Sequence, residues 1–218
     1  MGDRRARKKA ATRTLVLETA QRMFDERGFD VVTIADIATQ ADVAVQTVFN
    51  HFATKEDLFF ADRAQWVDAP ADAVRHLRDD EKLVTSVRAA LVQAVEDHIA
   101  GLAEPAHRRF LTTMLDSPAL QARERELNEQ ARTQLEAALN DAWLEPGHDA
   151  ETVRVAAALV SATTMAAVRA VAVAAREPMP PPEEAIGRAQ RAAHFTNTVL
   201  SALEDALRAS VESTGRDS

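Results

Sequence analysis

One short segment concentrates the side chains whose chemistry suits contact with the base edges of DNA. Such contacts use amides, hydroxyls and small apolar groups, and they come from the N-terminal part of a helix. Gln46 can pair bidentately with adenine, and Thr47 or Val45 can touch the methyl group of thymine. Asn50 and His51 complete the set, because we expect them on the open side of the same helix.

Further residues have the chemistry to hold phosphate groups. Thr33 begins a predicted helix, where its hydroxyl and the free backbone amides can bind a phosphate oxygen. Lys55 begins another predicted helix and can reach a second phosphate. A run of basic side chains near the N-terminus fits contact with the DNA backbone or minor groove as well as it fits a solubilising tail. These residues are Arg4, Arg5, Arg7, Lys8 and Lys9.

A second kind of chemistry is suggested by two Glu-x-x-His motifs, Glu104-Pro-Ala-His107 and Glu145-Pro-Gly-His148. This is the ligand spacing of di-iron carboxylate proteins, which are helical bundles. Both motifs contain proline, so they fall at helix boundaries where the two side chains need not share a face. A helical metal-dependent enzyme, or a ligand-binding bundle without DNA function, stays the alternative. We assign no catalytic residue, no metal ligand and no cofactor.

The composition of the 218 residues excludes several classes of protein. The chain has no cysteine, which excludes disulfide scaffolds and thiolate metal sites, and its six scattered glycines form no phosphate-cradling loop. The net charge of −8 argues against bulk binding of nucleic acid, yet residues 1–13 carry +5, residues 14–63 carry −5 and the remainder carries −8. No apolar run approaches the ~20 residues that span a bilayer. We expect a cytoplasmic protein with no membrane partner.

The pattern along the chain favours an all-α fold, because alanine is abundant and β-branched runs are short. Gly28 has the position of a left-handed residue that ends a helix. Thr33 and Thr54 each have an Asp three residues later, which predicts two N-caps with capping boxes. We predict a mobile arm over residues 1–10, and helices over 10–27, 34–40, 44–52 and 54–68.

The second and third of these helices are joined by Ala41-Asp42-Val43, a tight turn in which Asp tolerates a left-handed backbone. Two short helices joined in this way, braced by another helix, form a helix-turn-helix. We therefore predict an N-terminal helix-turn-helix domain over 1–61 and a larger helical domain over 62–218. The larger domain is predicted to contain helices over 81–102, 105–117, 119–143, 149–177 and 183–213.

Residues 13–61 resemble the DNA-binding domain of TetR-family transcriptional regulators. The resemblance covers less than a quarter of the chain and rests on four strings: Thr33-Ile-Ala-Asp-Ile-Ala38, Ala41-Asp-Val43, Gln46-Thr-Val-Phe-Asn-His-Phe52 and Thr54-Lys-Glu-Asp-Leu58. It implies a regulator without catalytic activity, whose partner is a double-stranded DNA operator. It also implies repression by occupation of an operator near a promoter.

Three residues depart from the pattern of the family. Asp42 stands where the family usually has Gly, and Ala44 stands where a Ser or Thr usually caps the recognition helix. Loss of that cap costs ~1 kcal/mol of local stability and removes a possible phosphate contact. Phe49 replaces the usual Tyr and removes a hydroxyl that would bind phosphate.

The resemblance further implies an apolar effector pocket among the middle helices, with a small molecule that releases the protein from its operator. Such pockets are mostly apolar with few polar groups, so the sequence does not identify the ligand. The candidate lining residues are Trp66, His98, Phe110, Met114 and Met165.

Two predictions concern assembly and switching. The last two helices carry apolar stripes of small residues, which predict a homodimer with a twofold four-helix interface. The stripes are Val153, Ala157, Val160, Thr164, Val168 and Val171, and Ile186, Ala189, Ala193, Leu200, Leu203 and Leu207. A continuous helix over 54–68 would link Lys55 with Trp66, about 16 Å along its axis, and could pivot when an effector binds.

Overall fold

The structure is a computed structural model that describes residues 2–65, 67–76, 89, 92–93, 96, 100–143, 150–174 and 181–214. Within these ranges the chain forms helices and turns and no strand, which confirms the all-α prediction. The helices with described bounds are α1 Gly2–Arg27, α2 Ile34–Gln40, α3 Val45–Phe49, α4 Lys55–Phe60, α5 Ala69–Arg75, α6 Pro105–Asp116, α7 Pro118–Trp143, α8 Ala150–Ala174 and α9 Pro182–Thr214. The helix predicted over 81–102 lies mostly outside the described residues.

The chain divides into two compact units. The first unit comprises Met1–Ala64 together with Thr113–Glu124, and the second comprises Gln65–Thr112 together with Arg125–Ser218. Helices α6 and α7 therefore contribute residues to both units. The sequence did not indicate that parts of α6 and α7 belong to the same unit as the N-terminal residues. The assignment of separate functions to 1–61 and 62–218 stays a prediction.

Helix α1 begins earlier than the sequence predicted. Residues 2–10 continue the helix that was expected to start at Ala10, so the predicted mobile arm is wrong. The segment has no large apolar side chain to pack, but alanine, arginine and lysine are all strong helix formers. The predicted end of the helix is confirmed, since Gly28 has a φ of +85° and its amide donates to the carbonyl of Phe24 at 2.9 Å.

Aromatic rings form the centre of the first unit. The ring centroids of Phe24 and Phe29 lie 5.2 Å apart, those of Phe29 and Phe59 5.5 Å, and those of Phe59 and Phe60 5.2 Å. These rings come from α1, the loop that follows it, and α4. Because aromatic pairs at such distances add to the stability that comes from burial alone, the cluster fixes α4 against α1.

Helix α4 is shorter than predicted, and the expected continuous helix over 54–68 is wrong. The helix ends at Phe60, Ala61 has an extended ψ of 132°, and Asp62 is left-handed with a φ of 58°. Side chains of α1 stabilise this break. The Gln21 amide donates to the carbonyl of Ala61 at 3.2 Å, and Arg13 Nη2 lies 3.3 Å from Asp62 Oδ1. No rigid helix therefore leads from Lys55 toward residue 66.

The core of the second unit joins α5, α7, α8 and α9. The helices predicted over 105–117, 119–143, 149–177 and 183–213 are confirmed to within three residues at either end. Pro105, Pro118 and Pro182 are the first residues of α6, α7 and α9, where a missing backbone N–H is tolerated. The shared core consists of Ala71, Val74, Leu135, Ala138, Leu139, Ala157, Val160 and Leu200.

The apolar stripe predicted for dimerisation on α8 packs within the chain where it is described. Val153, Ala157 and Val160 are all buried, so they are not available to a partner. A different face of α8 is left open, since Val155 is 54% exposed and Leu159 is 52% exposed. The predicted choice of residues is therefore wrong for this part of α8.

Replacement of glycine by alanine is expected to lower stability at Gly28 and to raise it at Gly187. Nothing lies within 4 Å of a Cβ built on Gly28, so Gly28→Ala meets only the left-handed backbone. We expect it to lower the free energy of unfolding by about 1–2 kcal/mol. Gly187 lies inside α9, and its Cβ would meet Arg191 at an ordinary 3.6 Å. Gly187→Ala should raise stability by about 0.5–1 kcal/mol. Urea unfolding measures both, and an equal effect of the two would contradict the expectation.

Candidate nucleic-acid interface

Helix α2 is fixed at its start by the predicted capping box. The Thr33 hydroxyl accepts from the amide of Asp36 at 3.1 Å, and the Thr33 amide donates to Asp36 Oδ2 at 2.9 Å. The Thr33 hydroxyl also donates to that oxygen at 2.7 Å. These bonds, from the backbone amide first and then the hydroxyl, lower the pKa of Asp36. Thr33 is thus engaged locally, and its contact with phosphate stays a prediction.

The turn between α2 and α3 has the predicted form. Asp42 adopts a φ of 52°, the left-handed conformation that Asp tolerates better than most residues. The amide of Val43 donates to the carbonyl of Ala38 at 3.0 Å and closes the turn. Ala38 and Ala41 are both buried, which fits two helices that cross closely at small side chains. The turn sets the direction in which α3 leaves α2.

Helix α3 has only five residues, and its predicted extension to residue 52 is wrong. Ala44 is the N-cap and makes no side-chain capping bond, as expected from the missing hydroxyl. Asn50 is the C-cap, and His51 lies in the turn that follows, where its amide bonds to the carbonyl of Val48. This bond spans three residues, so it tightens the last turn and ends the helix.

The predicted base-reading residues divide into two groups by exposure. Gln46 and Asn50 are exposed, and Gln46 Nε2 donates to Asn50 Oδ1 at 3.2 Å, so the two amides lie side by side. Val45 is also exposed, whereas Thr47 and His51 are half-buried. One exposed residue on this helix was not predicted as a contact: Phe49, which lies one turn after Val45. The i,i+4 spacing of the two apolar residues could have indicated it.

Lys55 has an internal role that the sequence did not indicate. Its Nζ donates to the carbonyl of Phe29 at 3.0 Å and to that of Val32 at 3.1 Å. The same ammonium lies 4.2 Å from the centroid of the Phe29 ring, a cation–π distance. Lys55 therefore holds the loop before α2 to the start of α4, and its contact with phosphate stays a prediction.

The segment Thr113–Glu124, where α6 meets α7, also holds the flanks of the helix-turn-helix. The hydroxyl of buried Ser117 donates to Asp30 Oδ1 at 3.0 Å. Arg123 Nη2 lies 2.9 Å from Asp57 Oδ1, while Asp57 Oδ2 accepts from the amide of Thr54 in the capping box of α4. Residues some 60 to 90 positions later thus brace both sides of the helix-turn-helix.

The predicted N-terminal basic residues lie on the first turns of α1, and all five are exposed: Arg4, Arg5, Arg7, Lys8 and Lys9. They extend a helix rather than a mobile arm. Arg13, further along the same helix, lies with its guanidinium carbon 5.0 Å from the centroid of the Phe52 ring. The basic residues therefore belong to a helix whose later part packs against the end of the recognition region.

The candidate effector residues are only partly described. Phe110 and Met165 are buried in the second unit, and Met114 is buried in the first. Trp66 and His98 lie outside the described residues. The predicted pocket set therefore stays a prediction.

The first Glu-x-x-His motif of the metal alternative, Glu104 to His107, does not form a pair within one helix. Glu104 lies before α6, which begins at Pro105, so it does not share a helix with His107. The second motif, over 145–148, lies outside the described residues. Among the residues that are described, no group of three or more His, Asp or Glu side chains could hold a metal ion. In the same part of the chain, no helix is long and apolar enough to cross a membrane.

Helices α2 and α3, joined by a tight turn and braced by α1 and α4, define a helix-turn-helix DNA-binding domain. Residues 16–61 match the family described as bacterial regulatory proteins, tetR family. This match covers about a fifth of the chain, and it supports a TetR-family transcriptional regulator. A search of curated proteins gives no match.

The fold as a whole is similar to solved structures. NalD from Pseudomonas aeruginosa, the secondary repressor of the MexAB-OprM multidrug efflux pump, is 20% identical with a TM-score of 0.50, over 87% of this chain and 97% of that one. SmeT in complex with triclosan is 20% identical with a TM-score of 0.54, over 87% and 91%. A TetR-family regulator from Pectobacterium atrosepticum is 16% identical with a TM-score of 0.52, over 90% and 95%.

The internal role of Lys55 predicts a stability effect that is separate from DNA binding. Lys55→Met keeps the apolar stem but removes the donor to two part-buried carbonyls. We expect the free energy of unfolding to fall by about 1.5–3 kcal/mol, the range for hydrogen bonds of charged groups. Lys8→Met, on the exposed part of α1, is the matched control and should change it by less than about 0.5 kcal/mol. Equal unfolding curves for the two variants would show that the internal bonds contribute nothing.

Proposed function

We propose that the protein is a cytoplasmic, homodimeric, sequence-specific repressor that leaves its DNA operator when a small apolar effector binds. The observation that carries this proposal is the exposed pair of amides on α3, Gln46 and Asn50, presented after a left-handed turn at Asp42. The match of residues 16–61 to the TetR family supports DNA binding.

The amide pair supports direct reading of adenine. When α3 lies in the major groove, Gln46 can accept from adenine N6 and donate to N7. One N–H of its Nε2 is held by Asn50, so the second N–H and the carbonyl oxygen are left for the base. Because this bond orients the amide before DNA binds, less side-chain entropy is lost on binding.

Phosphate contacts supply the sequence-independent part of the affinity. The five basic residues on the first turns of α1 are exposed and suit the DNA backbone or the minor groove. Thr33 and Lys55 are further candidates, although each also bonds within the protein. Contacts of this kind fix the register of the protein on the duplex, while α3 selects the sequence.

A homodimer through the last two helices is supported by the side chains that they leave open. Val155 and Leu159 lie one turn apart on α8 and are each more than half exposed, and Phe195 on α9 is 69% exposed. Helices α8 and α9 pack along each other, so two copies can form a four-helix interface. A twofold dimer then presents two recognition helices to half-sites ~34–36 Å apart.

Effector release is supported by the similarity of the fold to SmeT, whose solved structure is a complex with triclosan. Since α4 ends at Phe60, we infer a route other than a pivoting helix between effector and DNA. Helices α6 and α7 belong to both units, and Ser117 and Arg123 bond to Asp30 and Asp57. A ligand that shifts α6 or α7 would therefore move the flanks of the helix-turn-helix.

Selection from random DNA tests the proposed function. We expect the protein to enrich one operator sequence, and Gln46→Ala and Asn50→Ala each to weaken its binding by ~1–3 kcal/mol. The double variant should lose less than the sum, because the two side chains share a hydrogen bond. Anisotropy titrations at fixed salt measure the affinities, and exposed Gln130→Ala on α7 is the matched control.

Failure to enrich any sequence would overturn the proposed function, and unchanged affinity of both variants would overturn the assignment of α3. The complex of the protein with the selected operator also tests whether an effector releases the protein from DNA. Compounds that raise the melting temperature are titrated into the protein–operator complex, where a true effector lowers operator affinity.

The dimer has its own test in sedimentation equilibrium. We expect a dimer at micromolar concentration, and we expect Leu159→Glu to shift it to monomer because a carboxylate would be buried in the interface. Val31→Glu, at a 65% exposed position of the first unit, is the matched control and should remain dimeric. A wild-type monomer, or a dimeric Leu159→Glu variant, would contradict the proposed interface.

A further inference from the structure

The exposed surface of α3 consists of two rows of side chains. Residues four apart on a helix lie next to each other. Gln46 and Asn50 form the amide row, joined by their hydrogen bond of 3.2 Å. Val45 and Phe49 form a second row, which we call the apolar row, and they are 42% and 45% exposed.

The packing of α3 leaves the apolar row partly open to solvent. Val48 is completely buried and anchors the helix from its other side, together with Phe52 just beyond it. Single exposed apolar side chains are common on protein surfaces, but two on adjacent turns of a five-residue helix form a continuous patch. This patch adjoins the amide row, so it lies on the surface of α3 that we propose to face DNA.

The chemistry of the segment restricts what the apolar row can contact. No residue from 43 to 54 carries a formal charge, and neither Val45 nor Phe49 has a side-chain hydrogen-bond donor. These two side chains therefore cannot bind a phosphate oxygen or a polar base edge. The apolar group that the major groove offers is the C5-methyl of thymine.

We propose that Val45 and Phe49 are specificity-determining residues that contact thymine methyl groups beside an adenine read by the amide row. The proposal rests on the proposed function, since it requires α3 to lie in the major groove. It deepens that function by giving the operator half-site a composition of adjacent adenine and thymine. The two residues lie about 6 Å apart along the helix, close to two base-pair steps of ~3.4 Å.

The experiment removes the methyl groups one at a time from the DNA. In the operator obtained by selection, each thymine is replaced in turn by deoxyuridine, which lacks only the C5-methyl. Binding is measured for the wild type, Val45→Ala, Phe49→Ala and Phe49→Leu, after circular dichroism and urea unfolding have shown that each variant is folded. Val31→Ala is the matched control, because Val31 is an exposed valine of the same unit that lies outside α3.

We expect wild-type affinity to fall about fourfold at one or two thymines, the factor for one methyl-sized group returned to water. Phe49→Ala should bind the operator that contains thymine more weakly than the wild type does. It should also no longer distinguish thymine from deoxyuridine at the position that Phe49 contacts. Val45→Ala should do the same at a second position, while Phe49→Leu and Val31→Ala retain discrimination.

Two results would overturn the proposal and leave the proposed function intact. One is a clear operator whose binding no deoxyuridine substitution changes. The other is a uniform loss of affinity in Phe49→Ala with unchanged sensitivity to deoxyuridine, which would mean a structural or sugar contact. If selection enriches no sequence at all, the proposed function itself fails.

Discussion

The ammonium group of Lys55 holds together the two segments that flank the helix-turn-helix. From the first residue of α4 it donates to the carbonyls of Phe29 and Val32, in the loop that leads into α2. Everything between these points, including α2, the turn and α3, is thereby closed into a loop with fixed ends. Asp30 and Asp57 tie the same two flanks to Ser117 and Arg123. The direction of α3 thus depends on polar bonds made outside it.

The features that the sequence predicted correctly are set by neighbouring residues. A glycine after a helix, a threonine followed three residues later by aspartate, and an aspartate in a tight turn each fix the backbone through their own bonds. Gly28, Thr33, Asp42 and Thr54 all adopt the predicted conformations. Proline at the first position likewise marked the starts of α6, α7 and α9.

The features that the sequence did not predict depend on residues far apart in the chain. Helix α4 stops because Gln21 and Arg13, on α1, bind the backbone and side chain just after Phe60. The apolar stripe on α8 was predicted with the correct helical period, but its described part packs within the chain rather than against a second copy. Periodicity identifies an apolar face without showing what covers it. The exposure of Phe49 was missed because an apolar residue of a helix is expected to be buried, although its i,i+4 spacing from Val45 indicated that the two share a face.

If the protein binds DNA as proposed, the cationic first turns of α1 determine how the two molecules meet in solution. Residues 1–13 carry +5 and residues 14–63 carry −5, so these two parts cancel, and the rest of the chain adds −8. At long range the molecule is therefore repelled by a polyanion. Attraction acts only within a Debye length, ~8 Å at physiological salt, of the end of one helix. Encounters in which this end of α1 reaches DNA first last longer than the others. The orientation of the two molecules when they meet, rather than the net charge of the protein, therefore determines whether a complex forms.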